Sequence, residues 1–152
     1  MIDFVVDTWV LATCHESNSD DSLDAIGLLH ALLNSHRIVL DLEGDIEREY
    51  KPYIWMGGKG GIVSTWWRKM MRRGDKFYYL SNTVPSHHKS HLRDKLGFDS
   101  SDLKFVGVAS RTTSGYLIAE ESDYSQPVRD YIAADLNVTV LGLAECCKIA
   151  LE

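Results

Sequence analysis

Acidic residues occur in this sequence where short apolar runs end. If the fold brings these ends together, the carboxylates could bind a cation jointly. Asp7 follows the first apolar run, and further acids follow the run at 116–119. The carboxyl ends of parallel strands share one edge of a sheet with helix amino ends, and ligands bind there. Carboxylates crowded at such an edge repel one another unless hard divalent cations neutralise them. The predicted ligands are Asp7, Glu49, Asp102, Glu121 and Asp123.

Each of these acids also has a structural explanation. Asp102 could be a first-turn acid that the helix dipole favours. Glu49 could be an exposed helical glutamate, and Glu121 and Asp123 could be ordinary loop acids. The joint placement of the acids in one topology is what favours a site.

The elements that must position these acids follow an alternating pattern. Apolar β-branched runs predict strands over 4–6, 37–41, 116–119 and 138–141, and 77–80 is either a short strand or an apolar plug. Segments of helical period lie between them, at 23–33, 46–53, 62–73, 86–97, 102–109, 128–132 and 143–151. This order predicts an α/β fold, a three-layer α/β/α sandwich around a mostly parallel sheet. Its length of 152 residues favours one domain, 1–152.

Basic residues are concentrated in the middle of a chain whose formal net charge is −6. The first cluster consists of Arg68, Lys69, Arg72, Arg73 and Lys76. The second consists of His87, His88, Lys89, His91, Arg93 and Lys95. Such clusters can bind phosphate locally, although a solvated helix face explains each one equally well. Trp66 and Trp67 are adjacent, which predicts that one of them is partly exposed.

Several other classes of protein are disfavoured. The glycines of 57–61 lack the order of a phosphate-binding P-loop. Asp3 and Asp7 are too far apart for the Asp-x-Asp of a haloacid-dehalogenase-like phosphotransferase. An odd number of cysteines, Cys14, Cys146 and Cys147, predicts reduced thiols rather than a disulfide framework. The lack of a long apolar run or a signal peptide predicts a cytoplasmic protein with no membrane contact.

The chain resembles a PIN domain, the metal-dependent ribonuclease fold of toxin–antitoxin toxins and RNA-processing nucleases. The resemblance rests on Val5-Val6-Asp7-Thr8, on Glu49-Tyr50, on Asp102 with Val108-Ala109, and on the run from Leu117 to Tyr124. It departs from the family at Trp9, where a small polar residue is usual, and at Ala119 and Glu121, which replace a Thr and an Asp. The segment at about 54–97 matches least.

The resemblance implies a single-strand-selective endoribonuclease. The five acids would hold Mg²⁺ or Mn²⁺, and the Thr8 hydroxyl would orient water or a ligand. RNA phosphates would bind Arg68, Lys69, Arg72, Arg73, His87, His88, Lys89 and His91, with Trp66 or Trp67 stacking on a base. A toxin of this type would have an inhibitory protein partner, and a homodimer is compatible with the fold. The alternative is a non-catalytic PIN-like module that binds RNA or protein.

Overall fold

The fold is built on five parallel strands in a computed structural model that describes residues 1–17 and 19–151. The strands are β1 (Asp3–Val6), β2 (Arg37–Asp41), β3 (Phe77–Leu80), β4 (Tyr116–Ile118) and β5 (Thr139–Leu141). Their order in the sheet is β3-β2-β1-β4-β5, and every neighbouring pair is parallel. The predicted α/β fold is confirmed, and residues 77–80 form a strand rather than a plug. Asn18 and Glu152, which belong to the predicted domain 1–152, lie outside the described residues.

Eight α-helices connect and cover these strands in the described part of the chain. They are α1 (Thr8–Thr13), α2 (Asp20–Ser35), α3 (Asp45–Trp55), α4 (Ile62–Met71), α5 (Ser86–Ser90), α6 (Leu103–Ala109), α7 (Gln126–Leu136) and α8 (Leu143–Ala150). A π-helical turn, His91–Lys95, follows α5, and 3-10 turns occupy Ser100–Asp102 and Glu121–Asp123.

The helices lie on both faces of the sheet because the chain changes direction after β3. From β1 through β2 to β3 it moves toward one side of the sheet, and from β3 through β4 to β5 it moves toward the other. Right-handed crossovers then place the two sets of connecting helices on opposite faces. α6 accordingly packs on β1, β2 and β4, whereas α2 packs against α8. The strand order reverses between β1 and β4, the position where open parallel sheets bind ligands.

The central strand is fully enclosed by these layers. Phe4, Val5 and Val6 have no exposed surface, as expected for a parallel strand that is covered on both faces. Helix α1 is the element that the sequence pattern does not predict, since six residues are too few to display helical period.

The prediction that one of the adjacent tryptophans is exposed is wrong. Trp66 and Trp67 are both buried, because α4 packs against α2 as well as α3 and so has apolar neighbours on two sides. Trp67 contacts the rings of Tyr50 and Phe77. Neither tryptophan is therefore free to stack on an RNA base, and that part of the predicted RNA contact is withdrawn.

The three cysteines are free thiols, as predicted. Within residues 1–17 and 19–151, none of the helices combines the length and the apolar character that crossing a membrane requires.

Candidate active site

Asp7 lies at the point where the strand order reverses. It directly follows β1, and its backbone N–H donates to the carbonyl of Ile118 at the end of β4, at 2.9 Å. Its side chain caps α1 by accepting the Trp9 N–H, also at 2.9 Å. Only 7% of Asp7 is exposed. The junction of β1, β4 and α1 thus fixes one carboxylate at the carboxyl edge of the sheet.

Burial raises the pKa of Asp7 to about 7, from an ordinary value of 3.8. The Trp9 N–H opposes this shift, and the nearby carboxylates of Asp102, Glu49 and Asp123 reinforce it. Burial also raises the pKa of Asp102 to about 6; the Asp99 carboxylate adds to this shift, Lys104 opposes it, and Asp123 and Glu49 make smaller contributions in the same direction as Asp99. Four of the five predicted acids therefore act on one another electrostatically at one edge of the sheet.

Glu49 reaches this edge from the middle of α3. Its Oε2 atom is buried and has no hydrogen bond, although the Lys104 ammonium lies 2.9 Å from it as an ion pair. Tyr50, the next residue, fixes this part of α3 by donating its hydroxyl to the Val6 carbonyl. Glu49 is therefore not the freely solvated helical glutamate of the alternative explanation.

Asp102 stands at the amino end of α6, as predicted, but it does not cap the helix through its side chain. The capping of this region is supplied by Asp99, whose carboxylate accepts the Ser101 N–H at 2.9 Å. The Asp102 carboxylate is half-buried, and burial and the neighbouring Asp99 carboxylate raise its pKa.

The late acids separate in space. Asp123 belongs to the set that raises the pKa of Asp7. Glu121 instead pairs with Arg129 at 3.2 Å and lies close against Gly142, where an added Cβ would be 2.9 Å from its Oε1. Glu121 is therefore held by Arg129 of α7 and by the contact with Gly142 before α8, whereas Asp123 acts electrostatically on Asp7.

Two buried hydroxyl groups, of Tyr124 and of Thr8 next to Asp7 in the chain, have no hydrogen-bond partner among residues 1–17 and 19–151. Tyr124 is 1% exposed and its hydroxyl is unpaired, and Asp7, Asp102, Asp123 and Glu49 all raise its pKa in addition to burial. The Thr8 hydroxyl is also buried and unpaired. Buried polar groups normally have partners, so two orphaned hydroxyls next to an acidic edge indicate a place for a ligand or water.

The donor chemistry of this edge fits a hard divalent cation. Carboxylates and hydroxyls are the oxygen ligands that Mg²⁺ and Mn²⁺ take. Burial first and the neighbouring carboxylates second raise the pKa values of Asp7 and Asp102, and a bound cation would favour the charged form of both. Within the described residues, however, no three His, Cys, Asp or Glu side chains are arranged to hold an ion. The fit therefore rests on donor type and charge and not on a preformed coordination geometry.

The first basic cluster lies largely at the other edge of the sheet. α4 leads into the amino end of β3, and Arg73 donates to the Leu33 carbonyl just before β2 begins. Lys76 is fully buried and donates to the Leu32 and His36 carbonyls, so it is a structural residue. The remaining members of this cluster, Arg68, Lys69 and Arg72, belong to the same helix or its end, and Arg68 donates to the Lys59 carbonyl.

The second basic cluster lies on the α5 side of the molecule. His88 bonds to the Tyr131 hydroxyl at 2.6 Å, and the His91 ring stacks on the Tyr131 ring. His87 lies against His88, with ring centroids 3.9 Å apart. Lys89 is exposed and lines a cavity that also contacts α6. This cluster, unlike the first, includes a cation on the side of the acidic edge.

Sequence reasoning missed two residues of this site. Lys104 has no motif around it, and only the packing of α3 against α6 brings it to Glu49. Tyr124 belongs to the run that carries the PIN resemblance, but a tyrosine that follows four polar residues gives no sign of its own that it lines a site. Its position directly after Asp123 is the only available signal.

Comparison of this chain with protein-family models, with curated proteins and with solved structures found no match.

Proposed function

We propose that this protein is a metal-dependent endoribonuclease of the PIN-like type, with its active site at the carboxyl edge of the sheet. The observation that carries the proposal is the group of four mutually repelling carboxylates, Asp7, Glu49, Asp102 and Asp123, beside the unpaired hydroxyl of Tyr124. The arrangement raises the pKa of the buried Asp7 to about 7 and so destabilises the fold at neutral pH. Strongly shifted pKa values of this kind are typical of functional sites.

These four carboxylates would hold Mg²⁺ or Mn²⁺, with Glu121 as an outer acid that Arg129 occupies. A bound ion would supply a water of lowered pKa and would stabilise charge developing on a phosphodiester. The chain's own hydroxyls, on Tyr124 and Thr8, can donate hydrogen bonds to a water or to a phosphate oxygen. The Lys104 ammonium offsets part of the negative charge that would otherwise repel RNA.

The strand order supports this proposal independently of the acids. Asp7 follows β1 and Asp123 follows β4. These two strands are the neighbours between which the strand order reverses. Ligand sites of open parallel sheets lie there. The free thiols are compatible with a cytoplasmic enzyme, and a toxin of this type would have a protein partner that covers the acidic edge.

The test is cleavage of unstructured and structured RNA with Mn²⁺ by wild type and Asp7→Asn. We expect wild type to cleave the unstructured RNA faster, and Asp7→Asn to lose at least about 100-fold in rate. Equal cleavage by the two proteins would assign the activity to another site or to a contaminant.

The alternative function is a non-catalytic module that binds RNA or protein. The absence of a preformed arrangement for an ion among the described residues favours it. Calorimetry with Mn²⁺ separates the two functions, since an enzyme of the proposed type must bind the ion and a module need not.

A further inference from the structure

A cavity of about 470 Å³ lies beside the acidic edge, between the chain that follows β3, α5 and the amino end of α6. Its polar lining comes from Asn82, Thr83, Lys89, Ser100, Ser101 and Lys104. The volume is in the range of pockets that hold a small organic ligand. None of the proposed metal-binding carboxylates lines it, so it is distinct from the candidate active site.

The cavity and the acidic edge are nevertheless continuous. Lys104 lines the cavity, and its ammonium lies 2.9 Å from Oε2 of Glu49. Ser100 and Ser101 share one 3-10 turn with Asp102. A ligand that extends beyond the acids on this side would therefore enter the cavity.

The chemistry of the cavity suits an anion with a polar and an apolar part. Lys89 makes no ion pair or side-chain hydrogen bond with the other described residues, and its ammonium is available. The one acid of the lining, Asp45, is occupied by Arg48 at 2.9 Å and by the Asn82 amide at 3.1 Å. Val84 and Leu103 supply apolar surface.

These groups match the parts of a nucleotide. The Lys89 ammonium can bind a phosphate, whereas the Lys104 ammonium already pairs with Glu49 at 2.9 Å and donates to the Ser101 carbonyl. The serine and threonine hydroxyls can bond to a sugar, and the apolar side chains can contact a base. An acidic edge repels the phosphates that flank its reaction centre, so a neighbouring positive subsite has a clear electrostatic use.

We infer that this cavity binds the nucleotide of single-stranded RNA adjacent to the scissile phosphate, with the phosphate of that nucleotide on Lys89. The inference rests on the proposed function, because RNA as the ligand is taken from it. According to this inference, Lys89 of the second basic cluster contacts the RNA near the acids, and the 68–73 segment does not.

The experiment measures binding of a short fluorescent single-stranded RNA to full-length Asp7→Asn protein, which carries the nucleotide without cleaving it. Lys89→Ala is introduced into this background. The matched control is Lys51→Ala, which removes another exposed lysine, two residues along α3 from Glu49 and therefore on a different face of that helix. Both side chains are on the surface, and thermal unfolding checks that both variants fold.

We expect Lys89→Ala to weaken RNA binding about fivefold or more and to reduce the salt dependence of log K by about 0.7, the value for one phosphate contact on a single strand. Lys51→Ala should bind as its parent does. Equal behaviour of the two lysine variants would overturn the inference.

The two proposals fail in different ways. If wild type cleaves RNA with Mn²⁺ but Lys89→Ala changes neither RNA affinity nor KM, the subsite is wrong and the nuclease function stands. If Lys89→Ala weakens binding as expected but wild type never cleaves, the subsite stands as an RNA-binding site and the nuclease function is wrong.

Discussion

At Asp7, burial and the neighbouring carboxylates both disfavour the ionised form of the side chain. The residue caps α1 and is nearly inaccessible, yet three other carboxylates lie near enough to raise its pKa. The folded protein therefore binds a proton more tightly at Asp7 than the unfolded chain does, since the pKa is about 7 in one state and 3.8 in the other. Stability must then fall as pH rises through the window between these two values.

Asp7→Asn should remove this pH dependence. The amide keeps an oxygen for the Trp9 N–H and Asn is as good an N-cap as Asp, so the helix cap is preserved. In a chelator, we expect Asp7→Asn to be more stable than wild type by on the order of 2 kcal/mol at pH 8, below the upper bound of about 4 kcal/mol that the pKa difference sets. Near pH 4 the difference should be small.

Urea unfolding of the two proteins at pH 4 and pH 8 makes this measurement. A stability difference that stays the same at both pH values would contradict the account of Asp7, because it would have to come from packing and not from charge.

At the scale of elements, α6 carries Lys104 and follows directly after Asp102, and its position depends on one glycine. Gly107 packs against the backbone of Asn82, and an added Cβ would collide with the Asn82 carbonyl oxygen. The Asn82 amide in turn bonds to Asp41 at 2.7 Å, which holds the chain after β3 to the end of β2. The close approach of Gly107 to Asn82 fixes the position of α6, and Lys104 of this helix lies 2.9 Å from Glu49.

Gly107→Ala should therefore lower the free energy of unfolding by about 3 kcal/mol, because a backbone carbonyl cannot move aside as a side chain can. The control is Gly27→Ala on the exposed side of α2, where nothing lies within 4 Å of the new methyl group. There we expect a gain of about 0.5–1 kcal/mol from helix propensity. Thermal unfolding of the two variants decides the matter, and equal effects would contradict the packing described for α6.

The elements themselves could largely be predicted from the sequence, and the reason is that parallel strands and long helices leave periodic patterns. The strands at 37–41 and 77–80 occur at the predicted residues. α1 is too short for a period to appear, and the helix predicted over 86–97 is divided into α5 and a π-helical turn. Element boundaries depend on such local geometry, which single residue types do not specify.

At the scale of the whole molecule, the two edges of the sheet differ in how their acids are compensated. At the amino edge, Asp3 pairs with Arg37 at 2.6 Å and Asp75 pairs with Arg73 at 3.5 Å, whereas at the carboxyl edge the buried Asp7 makes no ion pair with another described residue. The sequence predicted the meeting of the acids, because topology alone determines which strand ends are neighbours. It could not separate Asp123 from Glu121 or find Lys104, since side-chain direction and the packing of α3 on α6 decide those contacts.

The central claim is that the carboxyl edge is built to hold a divalent cation. Its most direct test is the melting temperature of wild type and Asp7→Asn at pH 8, with and without Mn²⁺. Without metal, Asp7→Asn should melt higher than wild type. With Mn²⁺ about a hundredfold above Kd, wild type should gain about 5 °C or more and Asp7→Asn far less. Melting temperatures of wild type that do not respond to Mn²⁺, or that respond as much in Asp7→Asn, would contradict the claim.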